Sequence, residues 1–213
     1  MKKIAVYGAG GFGREVACLI EQINAKEPQW QFVGFYDDGH QRGDRIDMGE
    51  VLGGIGELNA VSEPLAVALA FGSPQTLKAV REKINNPLIS FPNLIDPSCV
   101  FLRRDMVEMG EGNIFCAFTF VSLAIKIGSF NVFNGHIGLG HDSRIGNYNC
   151  LMPAVRISGN VEIGNENFFG MESGVIPGKR VGNGVRVGAG SIIMRNAKDN
   201  ECYVGNPAKK LVI

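Results

Sequence analysis

Long apolar runs, paired cysteines and clusters of one charge are all missing from this 213-residue chain. No 18 consecutive apolar residues occur, which excludes a membrane-spanning helix on sequence grounds. The opening stretch, MKKIAVYGAGGFGREVACLI, is interrupted by Arg14 and Glu15, so it does not read as a signal peptide. Charge is balanced at 21 basic and 21 acidic residues with no basic run, which excludes an advertised nucleic-acid or membrane surface. Any anionic ligand must therefore be held locally. The five cysteines (Cys18, Cys99, Cys116, Cys150, Cys202) are odd in number and lack CxxC spacing. That pattern points to reduced thiols in a cytoplasmic protein rather than to a disulfide framework or a thiolate metal site. The expectation is a soluble, cytosolic chain.

What is abundant is a period. Fifteen apolar residues stand six apart: Met109, Phe115, Val121, Ile127, Phe133, Leu139, Ile145, Leu151, Ile157, Ile163, Phe169, Val175, Val181, Val187 and Ile193. At 45% apolar usage, such an unbroken run arises by chance less than about once in 10^5 in a given register. Six matches neither the helical repeat nor strand alternation, but it matches a parallel β-helix that spends one hexad on each side of a triangular coil. Three hexads close one coil of eighteen residues. Glycine follows the anchor in eight of the fifteen units, where a corner needs room or unusual dihedrals, and Asn134 fills that slot once.

The period begins only at Met109, so two domains are expected, 1–92 and 93–213, joined near the segment Phe91-Pro92-Asn93-Leu94-Ile95-Asp96-Pro97. The first reads as α/β. Ile4-Ala5-Val6-Tyr7 forms a strand, Gly8-Ala9-Gly10-Gly11-Phe12-Gly13 a glycine turn, and Arg14 to about Ile23 a helix. A second strand, Phe32 to Tyr36, ends in Asp37-Asp38. Glycines at this spacing permit a tight turn and close approach to a phosphate, and a carboxylate at the second strand's end accepts from ribose hydroxyls. NAD, a nucleotide-linked sugar and a purely structural turn all remain consistent with the motif. Leu65 to Phe71 reads as a later parallel strand and Thr76 to Ile84 as its helix, which gathers Gly10, Phe12, Asp37, Asp38 and Gly72 at one sheet edge. About 90 residues is short for a dinucleotide-binding domain and favours a ligand with one nucleoside.

Two of the three histidines, His136 and His141, lie inside the repeat. His141-Asp142 occupies no anchor position, so both side chains should stand outside the coil. A neutral imidazole takes a proton from an attacking amine or hydroxyl, and a carboxylate orients it. The dipeptide alone reads more readily as a surface histidine than as a catalytic one, because adjacency in sequence does not guarantee a useful side-chain contact. Zinc held by His136 and His141 lacks a third ligand at useful spacing, so no metal is expected. Asn147, Asn149, Asn165, Asn167 and Asn183 read as turn and inter-coil hydrogen-bonding residues.

Taken together, GAGGFGREVA, FVGFYDD, the hexads, NGHIGLGHDSRIGNYNCLMP and the tail VGNPAKKL resemble the sugar O-/N-acyltransferases of the sialic acid O-acetyltransferase type. Relatives in that family N-acetylate nucleotide-linked amino sugars of the perosamine and bacillosamine pathways. The resemblance covers nearly the whole chain. It implies a Rossmann-like domain followed by a left-handed parallel β-helix, acetyl-CoA as co-substrate without a metal, and a homotrimer with active sites between subunits. It further implies that His141 is the base, supported by Asp142, with Asn134 near the same site. Gly159 corresponds to a glycine whose backbone meets the pantetheine arm, and Gly170, Gly188 and Ala189 line the path beyond it. Gly10, Gly11, Phe12, Asp37 and Asp38 correspond to the nucleotide-sugar end.

The chain departs from the family twice. Phe12 stands where many relatives carry histidine, and it packs but donates no hydrogen bond. Cys150 replaces a second histidine near the cofactor and offers only a weak donor to a thioester carbonyl. The leading expectation is N-acetylation of a nucleotide-linked amino sugar by direct attack on the thioester. Its rivals are O-acetylation of sialic acid or another surface sugar, and a non-catalytic trimeric binding protein.

Overall fold

The computed structural model describes residues 1–211. It forms two compact units, Met1–Pro97 and Ser98–Ile213, so the division falls a few residues after the expected one, at the second proline of the joint.

In the first unit the elements follow as β1 (Lys2–Tyr7), α1 (Gly11–Lys26), β2 (Trp30–Tyr36), β3 (Arg45–Ile46), β4 (Gly49–Gly53), α2 (Ile55–Asn59), β5 (Leu65–Leu69), α3 (Pro74–Lys83) and β6 (Ile89–Ser90). The sheet order is β3-β4-β2-β1-β5-β6, parallel except for the β3–β4 hairpin. Ile4, Ala5 and Val6 are fully buried in β1, which explains why this central strand reads as a continuous apolar run. Helix α1 buries Val16, Ala17, Leu19, Ile20 and Ile23 along one stripe. Ser73 accepts from the Thr76 N–H at 3.4 Å and Pro74 follows it, so α3 starts two residues before its apolar pattern does. The β3–β4 hairpin and α2 carry no apolar periodicity and were not expected. Because β1 lies between β2 and β5, the sheet reverses its winding there, and its carboxyl edge gathers the turns after all three strands.

The second unit is a parallel β-helix with three faces. One runs from Ile114–Phe115 through Val132–Phe133, Cys150–Leu151, Phe168–Phe169 and Arg186–Val187 to Cys202–Val204. A second runs from Val100–Phe101 to Ile192–Ile193, and a third from Val107–Met109 to Arg180–Val181. Successive strands on a face pair in register eighteen residues apart, as in Leu139↔Ile157 and Ile145↔Ile163. The period fails at both ends: Phe101 pairs with Val121 across an inserted 3-10 turn at Arg104–Met106, and Val187 pairs with Tyr203.

Anchors from Phe115 to Ile193 point inward and are almost fully buried, and so are the residues two places before them except Lys179, which is half-buried. Phe115 and Phe133 stack at 4.4 Å between adjacent coils. The corners differ from expectation in one respect. Glycines after the anchor do not carry the left-handed backbone; that falls two residues later, on ten non-glycine residues from Phe118 to Glu172 with φ between 54° and 64°. Glycine is needed after the anchor because the next coil passes too close for a Cβ, which at Gly140 would collide with the backbone of Ser158 and Gly159.

Inside the coil, Asn113, Asn131, Asn149 and Asn167 are fully buried one above another. Each Oδ1 accepts from the backbone N–H and side-chain amide of the next asparagine at 2.9–3.0 Å, and the last accepts from the Val185 N–H. An outer ladder of Asn147, Asn165, Asn183 and Asp199 runs in the opposite sense, each backbone N–H donating to the Oδ1 of the next residue. Asn149→Ala leaves the Asn167 N–H and amide without an acceptor, and unsatisfied buried donors cost about 1–3 kcal/mol each. The expected loss is about 3 kcal/mol, read from urea unfolding of the β-helix by circular dichroism.

Candidate functional site

Two regions carry the residues singled out by sequence. The first is the carboxyl edge of the α/β sheet. Gly10 caps α1 without a side-chain hydrogen bond, and no acidic residue occupies the helix's first turn. A Cβ on buried Gly13 would overlap the Gly8 carbonyl oxygen, so the last glycine of the motif serves close packing of helix on turn. Gly10, Gly11 and Gly72 are exposed and Phe12 is half-buried.

The two carboxylates after β2 are already engaged by the protein. Asp37 Oδ2 accepts from the Ala9 N–H at 2.7 Å, and its Oδ1 accepts from the Gly39 N–H at 2.8 Å with His40 Nδ1 3.2 Å away. Burial raises the Asp37 carboxyl, but these donors outweigh it and hold the group below its ordinary value. Asp38 Oδ2 accepts from the Tyr7 hydroxyl at 2.7 Å and its Oδ1 from the Ile55 N–H at 2.9 Å, tying together the ends of β1, β2 and α2. Burial first, then this hydrogen bond, pushes the Tyr7 phenol up, so it stays a donor. Sequence reading took both aspartates as ligand acceptors and missed that each also closes the fold at this edge.

The second region lies on the corners of the β-helix. His141 and Asp142 are exposed, with Nδ1 2.8 Å from Asp142 Oδ2. A carboxylate only accepts, so Nδ1 carries the proton and Nε2 of the neutral ring is left as the acceptor. The left-handed backbone of Asp142, φ 60°, brings neighbouring side chains into this contact. One coil on, at the same corner, lies Gly159: a Cβ there would sit 2.6 Å from His141 Nε2.

Asn134, Gly170, Gly188 and Ala189 line the corner after the preceding face, so one full side of the coil, Gly138–Leu139, separates them from His141 in a single chain. Cys150 joins neither group. It is fully buried in its strand, and burial pushes its thiol up to about 12, so it remains protonated and off the surface. His136 stacks on Phe118 at 4.9 Å instead of facing His141. Among the described residues no group of three or more His, Cys, Asp or Glu is arranged to hold a metal, and no helix is long and apolar enough to cross a membrane.

Residues 3–84 match the PglD N-terminal domain family. Over 99% of its length the chain is similar to the whole acetyltransferase domain of PglB from Neisseria gonorrhoeae FA1090, with 27% identity and a TM-score of 0.89. The chain is an acetyltransferase. It is also similar to PerB from Caulobacter crescentus, whose structure contains CoA and GDP-perosamine, at 27% identity and a TM-score of 0.82 over 100% of this chain and 98% of that one. The GDP-perosamine N-acetyltransferase of Escherichia coli O157:H7 is 24% identical over 159 residues, 75% of this chain and 71% of that protein.

For the acetyltransferase, the hydrogen bonds around Asp37 predict a pH dependence in its first domain. A carboxyl whose folded pKa lies below its unfolded value of about 3.9 stabilises the fold above that value and loses the contribution as pH falls through the folded pKa. Asp37→Asn is therefore less stable than the parent at neutral pH, and the gap closes below about pH 4. Trp30, the only tryptophan, opens β2, so its fluorescence in a urea titration reads this domain.

Proposed function

We propose that the acetyltransferase moves an acetyl group from acetyl-CoA to the amine of a nucleotide-linked amino sugar, in a cytoplasmic homotrimer. The observation that carries this reading is the exposed His141–Asp142 couple, whose Nε2 is left free to take a proton. His141 deprotonates the sugar amine, the amine nitrogen attacks the thioester carbonyl, the C–S bond breaks and the CoA thiolate leaves to be protonated. The buried, protonated Cys150 favours direct attack over an acyl-enzyme. The α/β domain supplies the nucleotide end, where the uncapped start of α1 suits a ligand with phosphate and Phe12 offers a packing surface. Support for the amino-sugar class comes from the GDP-perosamine named for two relatives.

The division of Asn134, Gly170, Gly188 and Ala189 from His141 and Gly159 favours a site shared by two chains, in which one corner faces another. Exposed Val100, Leu102, Phe118 and Phe120 on the first coils favour association through an apolar patch. Phe120→Glu is expected to shift the sedimentation profile from trimer toward monomer and to lower turnover with it.

Free-thiol release from acetyl-CoA tests the chemistry, using UDP-, GDP- and dTDP-linked amino sugars alongside free and CMP-linked sialic acid. Turnover on an amino sugar supports the proposal; turnover on sialic acid alone replaces it with O-acetylation. His141→Ala is expected to lower kcat by about 10^2–10^4 with the assembly intact, the usual contribution of a general base. Near-normal turnover would remove His141 from the mechanism.

A further inference from the structure

The imidazole of His141 has a defined seat, and one residue determines it. Asp142 holds Nδ1 at 2.8 Å, which fixes one edge of the ring but leaves its rotation about that contact open. The opposite edge lies over Gly159. A Cβ built on Gly159 would stand 2.6 Å from Nε2, 2.7 Å from Cε1 and 3.1 Å from Cδ2, all inside van der Waals contact. Nε2, the atom assigned to take the proton, is thus the closest of all to the vacant side-chain position. The backbone at Gly159 is equally tied down: the N–H of the next residue, Asn160, donates to the His141 carbonyl at 2.7 Å, and the Gly178 N–H donates to the Gly159 carbonyl at 3.1 Å. The backbone beneath the ring cannot retreat without breaking coil-to-coil hydrogen bonds, so an added methyl group must displace the imidazole.

We infer that Gly159 is a positioning residue for His141, its missing side chain being what seats Nε2 at the reacting position. This rests on the proposal that His141 is the base. Gly159 does not need glycine for its backbone, because its φ lies outside the left-handed range and alanine adopts the same conformation. Its backbone N–H and carbonyl are retained in Gly159→Ala, so the substitution removes no main-chain hydrogen-bonding group. The three atoms nearest the vacant side-chain position all belong to the imidazole.

The test is a double-mutant cycle with Gly159→Ala, His141→Ala and the combined variant, after sedimentation and thermal unfolding establish that each retains its assembly. Gly159→Ala is expected to lower kcat by about 10^2, the cost of a misplacement of roughly 1 Å, while the acetyl-CoA KM stays within about twofold. In the His141→Ala background the same substitution should change the residual rate less than about twofold, since a residue acting through the imidazole has nothing left to position. The histidine ring resonances of Gly159→Ala, measured by 15N NMR, should show a changed Nδ1 environment relative to the parent. Parent-like kcat in Gly159→Ala overturns the inference, and so does an equal loss in the two backgrounds or a loss confined to the acetyl-CoA KM. Full activity of His141→Ala would instead overturn the base assignment, so the two failures are distinguishable.

Discussion

The coils from Val107 to Ile193 depend on one constraint, that residue i must lie against residue i+18 across a single strand spacing. Each coil satisfies its strand N–H and C=O groups on the coils before and after it, so no coil can shift without breaking contacts on both sides. The buried asparagine ladder adds a register lock of another kind. A slipped coil would align an amide with an apolar residue and leave donors unsatisfied in the dry interior, a larger penalty than any single apolar mismatch. The corner that carries His141 inherits that rigidity. His141 meets Gly159 because they are eighteen residues apart, and the precision of that contact is the precision of the coil.

The same constraint explains the corners. A triangular coil must turn sharply every six residues, and the turn is made by one residue in the left-handed region, a conformation that strains side chains such as Phe118, Phe130 and Tyr148. Those residues recover stability by stacking along the corner: Phe118 on His136 and Phe130 on Tyr148 at 5.4 Å. At Asp142 the left-handed backbone coincides with a polar contact instead, the carboxylate lying 2.8 Å from Nδ1 of the preceding imidazole. Corner geometry that elsewhere only reverses the chain here brings an imidazole and a carboxylate from adjacent residues within hydrogen-bond distance.

Much of this was legible before any coordinates, for physical reasons that differ by region. Period six in hydrophobicity is a direct readout of which residues face inward, and β1, α1 and β5 announce themselves because they are buried along a whole strand or one helical stripe. The β3–β4 hairpin and α2 were invisible because they are short and mostly solvated. The left-handed positions were missed because Phe, Ala, His and Tyr carry no signal for that conformation. Cys150 faces outward in its strand by pattern and reads as reachable, yet it is covered. Burial of an outward position depends on what lies above the face, which spacing within the coil does not encode. His141 and Asp142 were found by residue type, and their separation from Asn134 by one side of the coil follows from counting hexads. That Gly159 lies under the imidazole is a three-dimensional fact of register.

The α/β unit applies a different logic to the same need for fixed geometry. Its glycine turn is pinned by the Asp37 carboxylate on the Ala9 N–H, and Asp38 receives the Tyr7 hydroxyl and the start of α2. An anionic carboxylate held at the turn already satisfies one amide that would otherwise face a phosphate, and it raises the electrostatic cost of bringing a second anion to that spot. The exposed amides at the start of α1, with no acidic residue in the first turn, lack that penalty. The charge pattern at this edge therefore divides its labour, with the carboxylates suited to hydrogen-bond donors such as ribose hydroxyls or base N–H groups, and the helix start suited to phosphate oxygens. A protein of zero net charge can hold a dianionic ligand only by such local arrangement, because no long-range field of either sign draws the ligand in.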